Sequence, residues 1–376
     1  MLQVCFTIIW RRSINGDAVD CKSAAYGTTG SIPVFSTKYW NAYKYTYQQY
    51  KYIQSRRIPK MQQTNKIKWL IAHEPVDLFL RTAKAFADEV KSSTDGAIEI
   101  EILTATEYAD KFNNGEKENP MVYMERGDLE MSQLHISQLW KWNVPAFMAL
   151  ELPFLFKDHD HATRVLEGDI GRGMLAELAN KSPARGLEFT YSGGFRIVAS
   201  DKEIDSLADF KNLSFYTGTN PIGIDTIEAI GGQADPHAIE DYWNSVHTEG
   251  DNHDAVDTTV PRLLATVNKT KKRYITDTKH SLFLTSIIVS ERWWKGLDDK
   301  LKAQLTKAAT NAARLERKWS IEDSEAIATQ DPAVTGVQYK ELSAEEMTKF
   351  ESLTAPIYDK YHSIFLPGLV DSIRKS

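Results

Sequence analysis

Residues 66–103 carry a strand–helix–strand pattern, which constrains the fold more than any other stretch of the chain. The segment KIKWLIAHE is apolar enough for a short buried strand, and residues 75–92 repeat apolar side chains at helical spacing. Gly96 interrupts that helix, and residues 97–103, AIEIEIL, alternate apolar and polar side chains as a strand does. Strand, helix and strand in this order indicate a right-handed parallel crossover. The sequence therefore predicts an α/β protein.

Residues 191–217, YSGGFRIVASDKEIDSLADFKNLSFYT, predict a second unit of strand, short capped turn and strand. Two glycines, which permit close backbone approach, precede Arg196 in a run of aromatic and β-branched residues. Ser206 is typical of a helix N-cap, because its hydroxyl can accept a backbone N–H bond. An arginine at the start of such a unit can hold a carboxylate through two parallel hydrogen bonds. On local grounds, a surface arginine in an ion pair is the alternative.

This stretch resembles the middle of the substrate-binding subunits of tripartite ATP-independent periplasmic (TRAP) transporters, the DctP-type family. Five residues fall on the family pattern here: Arg196, Ser206, Asp209, Lys211 and Leu213. The segment LELPFLFKDHDHA at residues 150–162 is a further match, and the resemblance spans roughly residues 67–365. Tyr216 departs from the pattern, because the family usually has at this position the arginine that clamps the ligand carboxylate.

The resemblance implies an α/β, two-lobed periplasmic-binding-protein type II fold. A long helical pattern without glycine or proline at residues 297–328 looks like the C-terminal helix that braces both lobes in this family. The expected lobes are residues 66–193 plus 282–321 for the first, and 194–281 plus part of 322–376 for the second.

The resemblance also implies which residues face the ligand. The family's first strand ends in polar residues at the mouth of the cleft, and these are His73 and Glu74 here; a strand-end histidine with an internal partner is the alternative for His73. The next strand end carries Gln133 and His135, and ligands bind beyond the carboxyl ends of strands in open α/β sheets. We expect Arg196 to be the principal anion anchor, since no other arginine is clearly placed at the cleft.

The acidic loop at residues 249–259 does not align cleanly with the family's ligand loop. Counting forward from the preceding helix places Asp251 and Asp254 on the family's acidic pair, whereas counting back from the following segment favours Asp254 and Asp257. We take Asp254 and Asp257 as the candidates. Their charge suits a ligand with hydroxyl groups or a positive centre, and a solvated acidic loop is the alternative.

Tyr216 sets the charge that we expect on the ligand. A dicarboxylate would meet one arginine and several carboxylates, which disfavours its second negative charge. We therefore expect a monocarboxylate, with hydroxyl groups or with a cation that lies against the tyrosine ring. The competing view is that His253 replaces the missing arginine, in part only, because histidine is mostly neutral near pH 7.

The implied function is capture of a small organic acid in the cleft between the lobes and its delivery to a TRAP membrane permease, with no cofactor and no catalysis. An enzyme or a ligand sensor on the same architecture is the alternative, because fold does not determine function. The sequence contains no nucleophile elbow, phosphate loop, dinucleotide fingerprint or metal-ligand spacing. The cluster at residues 158–161, DHDH, is better explained as a helix cap than as a metal site.

Residues 1–62 differ from the rest, with many tyrosines, interleaved basic residues and no sustained period. We expect an N-terminal extension outside the fold; a misassigned start and a degraded leader are the alternatives. The apolar residues 2–10 lack a charged segment ahead of them, so they make a poor signal peptide, and a periplasmic location follows from the resemblance alone. A formal net charge of −6 provides no electrostatic case for nucleic acid as a partner.

Overall fold

Two β-sheets organise the chain in this computed structural model, which describes residues 66–73, 77–142, 144–237 and 252–376. One sheet has five strands and the other has six. We call the part of the chain around the five-stranded sheet lobe I, and the part around the six-stranded sheet lobe II. The predicted two-lobed α/β fold is confirmed. The expected extension at residues 1–62 and the candidate Glu74 lie outside the described residues.

The strands are β1 (Lys66–Ile71), β2 (Glu99–Thr104), β3 (Met131–His135), β4 (Ala184–Phe195), β5 (Ile197–Ser200), β6 (Ser214–Thr217), β7 (Gln233–Pro236), β8 (Ala255–Thr258), β9 (Tyr274–Asp277), β10 (Leu282–Ser290) and β11 (Gln338–Glu341). The helices are α1 (Asp77–Ser93), α2 (Ala105–Phe112), α3 (Pro120–Arg126), α4 (Ile136–Leu139), α5 (Ala146–Ala149), α6 (His159–Glu167), α7 (Asp169–Lys181), α8 (Pro221–Ala229), α9 (Val260–Thr266), α10 (Glu291–Lys295), α11 (Asp299–Ile327), α12 (Pro332–Thr335), α13 (Ala344–Tyr361) and α14 (Leu369–Lys375). Single 3₁₀ turns lie at Trp140–Trp142, Leu207–Phe210 and His362–Ile364.

The sheet of lobe I has the strand order β2-β1-β3-β10-β4. Strands β1 and β2 pair in parallel, which confirms the predicted strand–helix–strand unit. Trp69 of β1 packs on Phe86 of α1 with ring centroids 5.0 Å apart, so the apolar face of the helix covers the sheet. Strand β10 runs antiparallel between β3 and β4, and all nine of its residues are buried. Strand β3 therefore has neighbours on both sides, and its five residues are buried as well.

The sheet of lobe II has the order β11-β9-β5-β8-β6-β7. Strand β5 follows β4 after Arg196, so this residue stands where the chain passes from one sheet to the other. The chain returns between β9 and β10, and the Arg196 amide donates a hydrogen bond of 2.8 Å to the Ser281 carbonyl. These two connections between the lobes consequently lie side by side.

The predicted long C-terminal helix is α11, which runs through both lobes. Asp298 caps it by accepting a hydrogen bond from the Leu301 amide at 2.8 Å. Small buried residues such as Ala308 and Ala312 let the helix lie close to the core of lobe I, whereas Ile327, its last residue, packs in a core cluster of lobe II. No helix in the described part of the chain is long and apolar enough to cross a membrane.

A buried polar network joins α11 to the sheet of lobe I, and the candidate Gln133 belongs to it. The Gln133 Nε2 atom lies within hydrogen-bond distance of both carboxyl oxygens of Glu316, at 2.8 and 2.9 Å, and of the hydroxyls of Thr190 and Thr285. Glu316 is fully buried, and burial raises its pKa to about 8 even though these hydrogen bonds lower it. The folded protein thus holds Glu316 neutral at pH 7.

Replacing Glu316 with glutamine should flatten the pH dependence of stability. Between about pH 4.5 and 8 the unfolded chain releases the Glu316 proton while the folded chain keeps it, so wild-type stability falls as pH rises through this window. Glu316→Gln removes the ionisable group, so near pH 8 the variant should lack a penalty on the order of a few kcal/mol. Urea unfolding at several pH values measures this, and Glu322→Gln, an exposed position on the same helix, is the control. Parallel pH profiles for wild type and Glu316→Gln would contradict the assignment.

Candidate functional site

A cavity of about 280 Å³ opens between the two lobes. Lobe I contributes residues around α3, α4 and β10 to its wall, and lobe II contributes the ends of β6 and β8 with the loop and helix that follow each. The lining residues include Asn119, Ser137, Gln138, Lys141, Trp142 and Phe283 from lobe I, and Tyr216, Thr217, Gly218, Thr219, Asn220, Val256, Asp257, Thr258 and Arg262 from lobe II. Arg196, between the sheets, completes the wall. Most of the polar lining is uncharged and can both donate and accept hydrogen bonds.

Arg196 is held in the cavity wall by a carboxylate and a ring. Its Nη1 donates to Asp257 Oδ2 at 3.0 Å, and its guanidinium carbon lies 3.7 Å from the centroid of the Phe283 ring. The side chain is 12% exposed, so it reaches solvent from one side while its position is fixed from the other. Arg196 is thus in an ion pair, as in the local alternative, but it lies in the cavity wall and not on the open surface.

Asp257 is a buried, ionised partner of Arg196. Burial alone would raise its pKa, but Arg196 and then His280 more than offset this, so that the pKa is lowered. His280 Nε2 lies 3.3 Å from the second carboxylate oxygen, and both side chains are almost fully buried. The three residues form a fixed charged group at the base of the cavity.

Glu151 is a second acid behind Arg196 and is 4% exposed. It lines a small cavity of about 20 Å³ together with Arg196, Asp257 and His280. Burial raises its pKa to about 6, with Arg196 lowering it and Asp257 raising it. The interior side of Arg196 is thus acidic, and the side facing the cavity is where an external anion can approach.

Arg262 is a second arginine in the cavity wall, which sequence reasoning missed. It lies in the first turn of α9, is 8% exposed, and has its guanidinium carbon 5.7 Å from the Phe283 centroid. Two guanidinium groups therefore lie against one ring. The sequence could have indicated Arg262 as a cleft residue, because it follows β8 closely and ligands bind beyond the carboxyl ends of strands. The uncertain alignment of the preceding loop hid this position.

Tyr216 lines the cavity at the end of β6, where its ring packs between two imidazoles. The ring stacks on His237 with centroids 4.9 Å apart and meets His253 edge-on at 5.1 Å. His253 is not among the described residues that line the cavity, whereas Arg262 and Lys141 are, so two cationic side chains besides Arg196 lie in this wall.

The structure brings three of the candidate residues together at the cavity: Arg196, Tyr216 and Asp257. Asp254 lies elsewhere, where its carboxylate accepts hydrogen bonds from the amide and hydroxyl of Ser214, at 2.9 and 2.8 Å, and so joins β8 to β6. These bonds lower its pKa. Of the acidic loop, the described residues thus place Asp257 in the wall and Asp254 in a structural contact.

The candidates from the strand ends of lobe I lie inside that lobe. Gln133 belongs to the Glu316 network, and His73 and His135 are buried with ring centroids 4.0 Å apart. The physical reason is that β3 is a central strand with both faces covered. His135 still has a link to the site, since its ring stacks on Phe283 at 4.4 Å. Burial first, and then His73, Arg262 and Arg196, lower its pKa well below the usual value, so this support is neutral.

Comparison with known proteins identifies the family of the chain. The sequence model of the family described as bacterial extracellular solute-binding protein, family 7 (DctP), matches residues 72–364. The chain is 22% identical over 281 residues to the C4-dicarboxylate-binding periplasmic protein DctP of Rhodobacter capsulatus, which covers 74% of this chain and 80% of that protein.

Solved structures show the same fold. A TRAP periplasmic solute-binding protein from Pseudomonas putida F1 with bound D-glucuronate superposes with a TM-score of 0.71 and 21% identity, covering 83% of this chain and 97% of that one. A second, from Polaromonas sp. JS666 and bound to D-erythronate, has a TM-score of 0.71 and 23% identity, covering 82% and 98%. At such identities the similarity shows the fold alone.

Proposed function

Because the chain belongs to family 7 of the bacterial extracellular solute-binding proteins, a class that binds solutes for transport and is not enzymatic, we propose that its cleft captures a small acid with one carboxylate and several hydroxyl groups. The observation that carries the proposal is the cavity between the lobes, with Arg196 fixed on Asp257 at its base and a mostly uncharged, hydrogen-bonding wall that also contains Arg262 and Lys141.

The carboxylate would bind at Arg196 and Arg262. Both guanidinium groups lie within 6 Å of the centroid of one ring, at 3.7 and 5.7 Å from that of Phe283, so one anion could approach both. Asp257 accepts a hydrogen bond from Arg196 and holds this side chain in place. Less side-chain entropy is therefore lost when a ligand binds. Closure of the lobes by a hinge motion would remove water and strengthen these charge-assisted bonds.

The hydroxyl groups of the ligand would meet the uncharged wall. Asn119 and Gln138 face it from lobe I, and Thr217, Asn220 and Thr258 from lobe II. Trp142 and Phe283 add aromatic surface, which suits the C–H faces of a carbohydrate chain. The relatives with bound D-glucuronate and D-erythronate hold acids of this type, with one carboxylate and several hydroxyls.

Tyr216 supports a single carboxylate on the ligand. It brings a neutral hydroxyl to the cavity where the family usually has an arginine, and Asp257 and Glu151 already place two acids near Arg196. A second ligand carboxylate would have only Arg262 and Lys141 as further cations, without an arginine at position 216. The relative from Rhodobacter capsulatus is named for C4-dicarboxylates, which have two carboxylates. We propose that this chain differs from it in preferring a ligand with one.

The proposal includes the partner and the compartment. A solute-binding protein of a TRAP system delivers its ligand to a membrane permease, and the relatives are named as periplasmic proteins. We propose the same location and the same type of permease for this chain. Fractionation of native cells tests the location, and recovery of the protein in the cytoplasm would contradict it.

A ligand screen tests the proposed chemistry directly. Thermal shift followed by titration calorimetry should rank hydroxylated monocarboxylates, such as D-glucuronate, D-galactonate and D-erythronate, above succinate and malate. Tighter binding of succinate than of every hydroxylated monocarboxylate would overturn the single-carboxylate proposal. Absence of binding for all organic acids would overturn the transport function itself.

Tyr216→Arg should increase the affinity for succinate about tenfold or more, because a hydrogen bond to a charged group contributes about 1.5–3 kcal/mol. Affinity for the monocarboxylates should rise less, since their single charge is already matched. Tyr216→Phe is the control, because it removes the hydroxyl and adds no charge. An equal gain for both classes of acid would show that Tyr216 does not set the ligand charge.

A further inference from the structure

Three side chains outside the cavity bring together atoms that could bind a metal ion. Asp235 on β7 has one carboxylate oxygen 3.0 Å from His237 Nε2 and the other 2.9 Å from His253 Nε2. The three ligand atoms all lie within 4.8 Å of one another. No spacing in the sequence suggests this group, because His253 precedes β8, which is separated from β7 by β6.

These distances are close to those of a metal site. Zinc bonds to histidine nitrogen and carboxylate oxygen measure about 2.0–2.2 Å, so neighbouring ligand atoms around a tetrahedral ion stand roughly 3.3 Å apart. The two Asp235–histidine separations are a few tenths of an ångström shorter than that. A small outward movement of the two imidazoles would make room for an ion in place of the protons that now lie between the ligands.

Tyr216 holds the two imidazoles in this arrangement. Asp235 is its register partner across the β6–β7 pair, His237 stacks on its ring, and His253 meets the ring edge-on. The two imidazole rings lie 6.1 Å apart at 71°. Ligands fixed in this way lose little conformational freedom when an ion binds, which is the condition for a preformed metal site.

The donor set and the exposure agree with a borderline transition metal. Two imidazole nitrogens and one carboxylate oxygen are ligands that suit zinc, nickel and copper and not the oxygen-seeking ions calcium and magnesium. The side chains of Asp235, His237 and His253 are 55%, 41% and 20% exposed, so an ion can enter from solvent. Three protein ligands leave a fourth position for water.

We propose that Asp235, His237 and His253 bind one divalent transition-metal ion of the zinc type, with water in the remaining position. The site is separate from the organic-acid cavity, since none of the three is among the described residues that line it. It lies directly behind Tyr216, which belongs to the cavity wall. It is therefore a second binding site of lobe II, beside the first.

Titration calorimetry of the full chain, freed of metal with a chelator and then dialysed, tests the site with zinc chloride. One ion per chain should bind. His237→Gln and His253→Gln should each weaken binding by about tenfold or more, because loss of even an outer hydrogen-bond partner weakens metal binding by about 10- to 100-fold. Asp235→Asn, at an exposed position, should also weaken zinc binding. His362→Gln, an exposed histidine elsewhere, is the control and should leave zinc affinity unchanged.

Cobalt(II) separates this site from the two cysteines, Cys5 and Cys21. Nitrogen and oxygen ligands produce only weak visible bands, whereas a cysteine thiolate adds an intense ultraviolet charge-transfer band. The site predicts the weak bands, lost in His253→Gln. Absence of zinc binding, zinc affinity unchanged in all three ligand variants, or a thiolate band that persists in those variants would overturn the proposal.

Discussion

Replacing Arg196 with alanine should weaken binding of the preferred acid by about 2–5 kcal/mol, as truncation of one member of a buried, hydrogen-bonded charge pair does. Arg196 meets the cavity from a position fixed by Asp257 at 3.0 Å and by the Phe283 ring. Its loss removes the anion contact and leaves Asp257 buried with His280 as its remaining close partner. Titration calorimetry with the tightest-binding acid of the screen measures the loss of affinity.

Two further variants separate binding from stability. Arg196→Ala should also lower the free energy of unfolding, because it leaves a buried carboxylate without its arginine. The double variant Arg196→Ala/Asp257→Ala removes that unpaired charge, so stability should recover while affinity stays low. Arg185→Ala is the matched control: Arg185 pairs with Glu291 at the opposite end of β4, at 2.8 and 3.1 Å. Full affinity in Arg196→Ala, or equal losses in Arg185→Ala, would refute the anchor.

Replacing Gly193 with alanine should destabilise the protein by about 2–5 kcal/mol. Gly193 has a φ of +93°, which costs a residue with a side chain about 1–2 kcal/mol. A Cβ atom there would lie 2.9 Å from Thr259 Cβ and 3.0 Å from Pro261 Cδ, closer than side chains normally approach. Relieving such overpacking by backbone shifts costs about 1–3 kcal/mol.

Urea denaturation followed by circular dichroism measures this effect. Gly173→Ala is the control, because Gly173 lies in α7 with open space around its Cα, and alanine is favoured over glycine in a helix by about 1 kcal/mol. Gly193→Ala should therefore unfold at lower urea than wild type, and Gly173→Ala at equal or higher urea. If the two variants unfolded together, the close packing of Gly193 against Thr259 would not constrain the fold.

The helices and strands with a clear hydrophobic period in the sequence were predicted correctly. The unit at residues 66–103 and the long helix near 297–328 correspond to β1, α1 and β2 and to α11, with bounds shifted by only a few residues. Both signals lie in contiguous residues, where alternation and helical spacing directly report which face is buried. The place of Arg196 between the lobes could also be predicted, because the GGFR motif carries it.

Side-chain direction and pairing across the chain were harder to predict. The strand-end rule placed Gln133 and His135 near the cleft, but whether such residues face the cleft or the interior depends on the neighbouring strands, and β3 proved to be covered on both faces. Arg262 and the Asp235 cluster depend on how β6, β7 and β8 align with one another. The uncertain loop before β8 left that alignment open, and no local pattern could supply it.

Three of the segments that pass between the lobes lie close together, and this has a mechanical consequence. The β4–β5 connection lies against the β9–β10 connection, and α11 joins them, because the Ser324 hydroxyl donates to the Gly193 carbonyl at 2.9 Å. A fourth crossing lies in α13, which has Phe350 in a core cluster of lobe II and Tyr361 in one of lobe I, so a hinge movement of the lobes would have to bend all four segments together.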